Sequence, residues 1–489
     1  MIFLFLFMFS KDHILVKAES EEILQSYGVK VLKAHYFNWF SVQVPENKDV
    51  LVFIDEIQNK KGILKAEPDI VCKALWSPND SLYTYQWNLR YYIKLEKAWD
   101  IIGGGSEDVK IGILDTGCSF EFFPVPSYER DKVNGTTYRI YPDYKTETFL
   151  PGKDFVNNDN HPNDDNGHGT HISGTIAEAT DNYIGLAGIA FNVKIVPIKV
   201  LDYNGMGNLS TVADGIVWGT DSGDVDVINI SLGADGTISY LGEAVRYAYN
   251  KNVILVGATG NDGTESIYYP ANYDEVIAVG AYNMNGRRAS YSNYGYKIDV
   301  VGAGGGGTSD NDWIFQQVFM PYINEDTLAD LNTYGYFGFI GTSMATPHIS
   351  ALCALMLSIN PDLKNYEVME IIKDNCIDIG ETGWDKYTGY GIPDFERCVK
   401  EAFMRDKFDK LSDIIDVDET FSLDGIVRVS LKEGYIFPID LYVIDILGRV
   451  IQSIHLVDRA ELKIEKNGVY FLYGERRGGI KLTIMKIGG

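Results

Sequence analysis

Short apolar runs alternate with helix-like segments from about residue 109 onward. The runs are VKIGIL, VKIVPIKVL, VDVINISL, VILVGA and VIAVGAY. Continuous runs of valine and isoleucine are typical of parallel strands that are buried on both faces of a sheet. The pattern therefore predicts an α/β domain over residues 77–402, with a mostly parallel sheet and helices on both of its faces.

The segments on either side of this domain carry different patterns. Residues 11–76 mix strand-like and helix-like stretches, which predicts a small α+β domain ending in the extended segment ILKAEPDIVCKAL. The turn-forming sequence SPND at 77–80 then indicates an exposed linker. Residues 410–489 contain short strands separated by polar turns, such as GIVRVSL and GVYFLY, and predict a small β-sandwich.

The first ten residues, MIFLFLFMFS, form a separate apolar run. The run is too short to span a bilayer, and it reaches only the lower limit of a signal-peptide core. No positive segment precedes it and no clear cleavage site follows. We expect residues 1–10 to be a truncated signal peptide rather than a cytoplasmic start, and we predict no transmembrane segment.

Composition narrows the classes of partner. The 489 residues include 43 Lys and Arg against 68 Asp and Glu, which gives a formal net charge of −25. Nucleic acids and anionic membranes repel such a surface, whereas cations are attracted to it. Scattered cysteines without CxxC spacing indicate neither a zinc site nor a disulfide framework, and a single disulfide bond is the alternative. They are Cys72, Cys118, Cys353, Cys376 and Cys398.

The stretch GFIGTSMATPHIS places a serine at the start of a long apolar helix. Thr342 and Ser343 are good capping residues, and Pro347 is tolerated only near the first turn, so the helix is predicted to begin near Ser343. Gly341 leaves room for close approach to backbone N–H groups that suit a developing oxyanion. Taken alone, Ser343 is either a nucleophile or an ordinary cap.

Three other polar residues follow predicted strands or open a helix. Asp115 follows VKIGIL, Asn261 follows VILVGA, and His168 stands in NDDNGHGTHISG. Chemistry in parallel sheets collects beyond the carboxyl ends of the strands. Each residue alone fits a turn or a cap equally well. His171 suggests a metal pair with His168, but no third ligand has suitable spacing nearby.

Together these motifs resemble those of the subtilisin-like serine peptidases, closest to the thermitase and fervidolysin branch. Asp115, His168 and Ser343 follow the chain order of that family's triad, and DTG, NGHGTHISG, GNDG and GTSMATPH match its signature blocks over about 77–402. The resemblance implies a serine endopeptidase that forms an acyl-enzyme. Ser343 would be the nucleophile, His168 the base and Asp115 its orienting partner, with Asn261 holding the oxyanion.

The same resemblance implies a set of contacts to a protein or peptide substrate. One segment would pair with the substrate backbone as an added strand, a second would form the opposite wall, and a third would form the floor of the first pocket. In that order these residues are Gly205, Met206 and Gly207, then Ser231, Leu232 and Gly233, then Ala258 and Gly260.

The resemblance also implies calcium as a cofactor. Asp80, Asp154 and Asp181 match positions of the family's strong site, and carboxylates are ligands that calcium prefers. A second acidic cluster, NNDNHPNDDN, is either another ion site or a solvated loop.

Both flanking domains acquire roles by resemblance. Residues 11–76 look like an inhibitory propeptide that is removed by self-cleavage between about Leu75 and Ser77; a permanent accessory domain is the alternative. Residues 410–489 resemble the C-terminal sorting domains of type IX secretion, and a generic β module is the alternative. A secreted or cell-surface zymogen is therefore expected.

Two insertions depart from the family pattern. The His-Pro-Asp sequence that usually follows the catalytic aspartate of the family is absent after Asp115. Instead, ~30 extra residues separate Asp115 from Asp154, and loops of this length are usually functional or disordered. A second insertion spans Gly304 to Gly338. Either insertion could narrow the cleft or contact another module. A catalytically silent protein that kept the fold is the rival class, and the complete set of motifs argues against it.

Overall fold

The chain forms two compact units in the computed structural model, one of residues 1–75 with 407–489 and one of residues 76–406. The structure describes residues 9–45, 48, 50–70, 77–306, 309–324 and 326–412, and seven strands between 415 and 487. Residues 1–8, most of the predicted signal peptide, and residues 71–76, which include most of the predicted cleavage region, lie outside the described residues.

The N-terminal part of the first unit is an antiparallel sheet with two helices. Its strand order is β2-β3-β1-β4, and Ile14, Val16, Leu24 and Val42 lie in its buried core. The elements are β1 (Phe9–Ala18), α1 (Glu21–Ser26), β2 (Val31–Ala34), β3 (Trp39–Gln43), α2 (Val50–Gln58) and β4 (Ile63–Ile70). The first strand thus begins inside the segment predicted as a signal peptide, because its backbone pairs with β4 from Phe9 onward.

The second unit is organised around a seven-stranded parallel sheet of order β14-β13-β12-β11-β5-β10-β9. Smaller sheets pair β15, β16 and β7, β17 with β18, and β6 with β8. The strands are β5 (Lys110–Asp115), β6 (Phe123–Pro124), β7 (Val133–Asn134), β8 (Thr137–Tyr138), β9 (Lys153–Asp154), β10 (Lys194–Lys199), β11 (Val227–Ile230), β12 (Ile254–Ala258), β13 (Val276–Tyr282), β14 (Val300–Ala303), β15 (Ile314–Met320), β16 (Ala329–Phe339), β17 (Cys376–Ile377) and β18 (Ile392–Pro393).

Helices cover both faces of the main sheet. They are α3 (Trp87–Arg90), α4 (Leu95–Ile102), α5 (His168–Ala177), α6 (Leu209–Asp221), α7 (Ser239–Asn250), α8 (Thr342–Ile359), α9 (Asn365–Asp374) and α10 (Phe395–Ser412). Side chains alternate along β5, so Ile111 and Ile113 join a core with α5 and α8, while Leu114 joins a second core with α6 and α7. The predicted α/β fold is confirmed.

Helix α8 runs through the larger of the two cores. Among the described residues it is the one helix long and apolar enough to cross a membrane, and 83% of its apolar window is buried inside the protein. A helix that packs against five strands of a sheet and against a neighbouring helix needs an apolar surface all round, so the composition of α8 follows from its place in the core.

The two insertions associate with each other. Strand β7 of the first insertion pairs in parallel with β16, which forms an antiparallel hairpin with β15 in the second. Val125, Val133, Val318, Phe319 and Leu331 are buried together between them. The insertions are therefore largely packed structure, with a small core of their own.

The described C-terminal strands form two antiparallel sheets, of order β19-β20-β23 and β22-β21-β24-β25. These strands are β19 (Ile415–Val417), β20 (Ile426–Leu431), β21 (Ile439–Asp445), β22 (Val450–Leu456), β23 (Arg459–Lys463), β24 (Gly468–Arg476) and β25 (Gly479–Ile487).

Candidate active site

Asp115 and His168 meet at the carboxyl end of β5. Asp115 is the last residue of that strand and is fully buried, and His168 is the first residue of α5. The His168 Nδ1 atom lies 2.7 Å from Asp115 Oδ1, and the Thr116 N–H donates to the same oxygen at 2.8 Å. Because a carboxylate accepts, Nδ1 carries the proton and Nε2 is left as an acceptor.

The charge of Asp115 alters the basicity of His168. Burial lowers the pKa of the imidazole, whereas the Asp115 charge and hydrogen bond raise it, and the net shift is upward. The His168 side chain keeps 24% of its surface exposed, so it is accessible as a proton acceptor. A base of raised pKa that is open on one side is suited to general base catalysis.

Asp164 fixes the position of α5, and the sequence reasoning missed it. Its buried carboxylate accepts from the N–H groups of Asn166, Gly167 and Thr170 at 2.9 Å each, and from the Thr116 and Thr170 hydroxyls at 2.8 and 2.6 Å. It therefore satisfies backbone donors that a helix start leaves free. An aspartate a few residues before a helix start is the signal that could have identified it.

The glycines around His168 serve close packing. Gly167 adopts φ 108°, which favours glycine, and it precedes α5 as the N-cap. A Cβ at Gly169 would lie 2.0 Å from the Gly117 carbonyl oxygen. Helix α5 can therefore sit directly on the turn that follows β5, which brings His168 to Asp115.

Ser343 is the second residue of α8, which begins at Thr342 with Gly341 as N-cap. Its Oγ donates to the Ser231 carbonyl at 2.9 Å, and the Ser231 Oγ donates to the Ser343 carbonyl at 2.9 Å. Pro347 has no N–H for that carbonyl, which lies four residues earlier in the helix. The Ser231 hydroxyl takes the place of the missing donor, which explains how Pro347 is accommodated.

Asn261 joins the start of α8 to the end of β12. Its Oδ1 accepts from the Thr342 N–H at 2.8 Å and from the Thr342 hydroxyl at 3.0 Å. The predicted capping by Thr342 or Ser343 is thus wrong, because the helix start is satisfied by Asn261. Since Oδ1 is occupied as an acceptor, the Nδ2 group remains as a donor close to Gly341.

One cavity of about 470 Å³ brings the predicted residues together. His168, Ser343 and Asn261 line this cavity, whereas Asp115 is fully buried and is not one of its lining residues. All the predicted substrate-contact residues line it as well, namely Gly205, Met206, Gly207, Ser231, Leu232, Gly233, Ala258 and Gly260. Tyr268 and Asp262 also line it, and the Tyr268 hydroxyl donates to Asp262 Oδ2 at 2.5 Å.

Only two of the three predicted calcium ligands, Asp80 and Asp181, lie together. Asp80 accepts from the Asp181 N–H at 2.9 Å, whereas Asp154 lies on edge strand β9 and accepts from the N–H groups of Val156 and Asn157. Within the described ranges, no three His, Cys, Asp or Glu side chains are grouped as metal ligands. The assignment of Asp154 to one site with Asp80 and Asp181 is therefore wrong, because its carboxylate closes its own loop.

Two other buried carboxylates lie near Asp80. Asp143 accepts from Asn182 Nδ2 at 2.9 Å and the Leu186 N–H at 3.0 Å, and burial raises its pKa to about 6. Glu178 is fully buried and lies beside the Asp143 carboxyl group. Burial first, and then the charge of Asp143, raise the pKa of Glu178.

The second acidic cluster is occupied by protein groups. Besides Asp164, its Asp165 accepts from the buried Lys199 ammonium at 2.6 Å, and that ammonium also donates to the Thr116 carbonyl at 2.6 Å. These two carboxylates are buried and bonded to protein groups, whereas Asn158 and Asn160 of the same cluster are exposed.

Comparison with known proteins agrees with this geometry. The profile of the subtilase family matches residues 106–391. The thermophilic serine proteinase of Bacillus sp. (strain AK1) is 36% identical over 344 residues, which are 70% of this chain and 74% of the relative. Thermitase of Thermoactinomyces vulgaris is 33% identical over 313 residues, which are 64% of this chain and 96% of the relative.

A solved structure gives the same result. A protease from Pseudoalteromonas arctica matches with a TM-score of 0.57 at 31% identity, covering 67% of this chain and all of that one. The parallel sheet, the helices on both faces and the sequence matches lead to one assignment. The chain belongs to the subtilase family and is a subtilisin-like serine endopeptidase.

Proposed function

We propose that this endopeptidase cleaves polypeptides through an acyl-enzyme on Ser343, with His168 as the base, Asp115 as its orienting carboxylate and Asn261 as an oxyanion donor. The observation that carries the proposal is a single cavity lined by Ser343, His168 and Asn261, with Asp115 hydrogen-bonded behind the imidazole.

The proton transfers follow from the tautomer of His168. Nε2 removes the hydroxyl proton as Ser343 Oγ bonds to the substrate carbonyl carbon, and the resulting imidazolium is stabilised by Asp115. Nε2 then gives this proton to the amine nitrogen as the peptide C–N bond breaks. Water, activated by the same nitrogen, later releases the acyl group. In the free enzyme the Ser343 hydroxyl donates to Ser231, so it must turn towards His168 when substrate binds.

The oxyanion is stabilised where charge develops. Asn261 and Ser343 both line the cavity, and the Nδ2 group of Asn261 and the backbone N–H of Ser343, at the start of α8, would be the donors. The N-terminal end of the helix adds a favourable dipole.

A serine-directed fluorophosphonate tests the assignment. Wild-type protein should be labelled and should hydrolyse peptides, and Ser343→Ala should do neither while unfolding at a similar temperature. Ser210→Ala, at an exposed serine on α6, is the matched control and should be labelled like wild type. Labelling of Ser343→Ala, or a wild-type protein that is not labelled, would contradict the assignment; the second outcome would favour a silent scaffold.

We propose in addition that calcium binds beside Asp80, with the Asp143 carboxylate and backbone carbonyl oxygens of the loop around Asp181 as further ligands. The charge of Asp80 adds to the raised pKa of Asp143, and no lysine or arginine is among the main groups that shift this pKa. Carboxylate and carbonyl oxygens fit a hard cation, which takes six to eight oxygen ligands in flexible geometry. Bound there, calcium would neutralise this buried negative charge.

Thermal unfolding in the Ser343→Ala background tests the calcium site without self-digestion. Calcium at about a hundred times its dissociation constant should stabilise by roughly 2.7 kcal/mol. Asp143→Asn should lose most of this response, whereas Asp154→Asn should keep it. Equal melting temperatures with calcium and with chelator would overturn the proposal, and so would a loss caused by Asp154→Asn alone.

We infer that residues 11–76 act as an inhibitory propeptide that the enzyme removes between about Leu75 and Ser77. Its support is the family membership and the linker SPND that follows. Wild type should shorten on incubation, and Ser343→Ala should remain full length. An N-terminus upstream of Ala74 in both proteins after prolonged incubation would favour a permanent accessory domain.

We infer further that the protein is secreted or displayed at the cell surface, with residues 410–489 as a sorting domain of the type IX kind. Two small antiparallel sheets suit such a module. Deleting 410–489 in a type IX-competent host should leave the protease inside the cell. Unchanged surface exposure after this deletion would favour a generic β module.

A further inference from the structure

The hairpin of the second insertion carries an aromatic groove outside the catalytic cavity. The groove measures about 480 Å³, and its lining includes Trp313, Phe315, Tyr322, Ile323, Phe337 and Phe339. Ile323 is 62% exposed, and Phe315, Phe337 and Phe339 are partly exposed. Apolar surface that is left open in this way commonly marks a binding site.

One end of the groove is attached to the segment that precedes His168. The Tyr322 N–H donates to the Asn166 carbonyl at 2.7 Å. Pro321, another lining residue, lies so close to Gly167 that a Cβ there would be 2.8 Å from Pro321 Cβ. Asn166 itself lines the catalytic cavity, so this end of the groove is bonded to a residue of the cavity wall.

The other end of the groove leads to Ser343. Phe339 is the last residue of β16 and precedes the start of α8 by three positions. Its ring stacks on His171, one turn after His168, with ring centroids 4.4 Å apart. The groove is thus attached at one end to the segment that precedes His168 and at the other end to the segment that precedes Ser343.

The proton route indicates which part of a substrate lies there. In the catalytic cavity, Gly205–Gly207 and Ser231–Gly233 are the walls that the proposed function assigns to the acyl part of the substrate. The leaving amine must approach His168, which gives it a proton. The groove adjoins the Asn166–His168 segment and lies outside the catalytic cavity, with which it shares no lining residue.

We propose that this aromatic groove binds the leaving-group segment of the polypeptide substrate and favours apolar or aromatic side chains downstream of the cleaved bond. The inference rests on the proposed function of Ser343 and His168. Aromatic walls offer a large apolar contact area and preferred edge or offset-stacked geometries to an incoming ring. A second copy of the chain and the N-terminal domain are the other candidate occupants.

Internally quenched peptides test this groove. Two peptides share one acyl side, and their downstream residues are either Phe and Leu or Ser and Gly. An anilide with the same acyl side, which has no downstream segment, reports Ser343 chemistry separately. Wild type should cleave the apolar peptide with a kcat/KM roughly tenfold or more above that for the polar one, the range expected for apolar pocket contacts.

Variants locate the effect. Ile323→Ser and Phe337→Ser should each bring the ratio of the two kcat/KM values close to one, and Ile323 is exposed enough to be replaced without unfolding. Ile238→Ser, at an exposed isoleucine outside the groove, should keep the wild-type ratio. A wild-type ratio near one, or a ratio that neither groove variant changes, would overturn the proposal. A groove variant that alters only self-association or self-processing would assign another occupant, whereas failure of the anilide reaction in wild type would refute the proposed function instead.

Discussion

Replacing Asn261 by leucine separates transition-state stabilisation from local stability. Leucine has a similar volume but removes both the Nδ2 donor and the Oδ1 acceptor. The donor is available to the oxyanion because Oδ1 is held by the N–H and hydroxyl of Thr342. The variant should therefore lose turnover, and it should also weaken the start of α8.

The two losses differ in size. Removing one oxyanion donor costs about 10²–10³ in kcat, a magnitude measured in another member of this family. That range corresponds to about 2.7–4.1 kcal/mol of transition-state stabilisation. Loss of the bonds to Thr342 should cost unfolding free energy of about 1 kcal/mol, because Asn261 is exposed and water can replace its oxygen.

Thr342→Val is the matched comparison. It removes the hydroxyl that donates to Asn261 at 3.0 Å and accepts from the Gly260 N–H at 3.2 Å, but it leaves Nδ2 in place. Its kcat should fall by about tenfold or less, since one orienting hydrogen bond contributes about 1 kcal/mol.

Steady-state hydrolysis of a peptide anilide gives kcat and KM, and thermal unfolding of each variant in the Ser343→Ala background gives the stability. A kcat for Asn261→Leu no lower than that for Thr342→Val would refute the reasoning. A loss confined to KM would also refute it, because such a loss reports ground-state binding.

Three further substitutions have defined outcomes. Asp115→Asn removes the charge that raises the pKa of His168, so the acidic limb of the kcat/KM profile against pH should move to lower pH. The kcat should also fall about 10⁴-fold, as in another Ser-His-Asp protease. An acidic limb that does not move would contradict the pairing of Asp115 with His168. Asp164→Ala leaves buried N–H and hydroxyl donors unpaired. The unfolding free energy, measured by denaturant titration, should therefore fall by about 3 kcal/mol. A change close to zero would contradict the role of Asp164 in positioning α5. Tyr268→Gly should enlarge the first pocket, since the Tyr268 ring lies against Gly233 and Gly260. The rate of cleavage after Phe should rise relative to the rate after Ala by roughly 10–100-fold, measured with two peptide anilides. An unchanged ratio of these two rates would place the Tyr268 ring outside the pocket.

Local patterns were sufficient for the parallel sheet and for the order of Asp115, His168, Asn261 and Ser343. Valine and isoleucine runs report burial on both faces of a strand, which each segment carries by itself. The motifs are equally local, because a turn after a strand and the start of a helix each need particular residue types within a few positions. The resemblance to subtilisin-like peptidases could therefore be stated before any contact was known.

Other features depended on contacts between distant segments. Asp154 was assigned to calcium from its place in the chain, yet it closes its own loop, whereas Asp143 and Glu178 lie beside Asp80. Neither residue shows a periodicity or motif that would indicate this, because their proximity is created by the packing of an insertion.

The aromatic groove shows the same division. The sequence by itself determined that the segment 304–338 is long and rich in aromatic residues. Only the tertiary structure decided that it pairs with β7 of the other insertion and packs on the two segments that carry Ser343 and His168. The physical reason is that hydrophobic burial is non-directional, so an apolar residue specifies that it will be covered but not which distant surface will cover it.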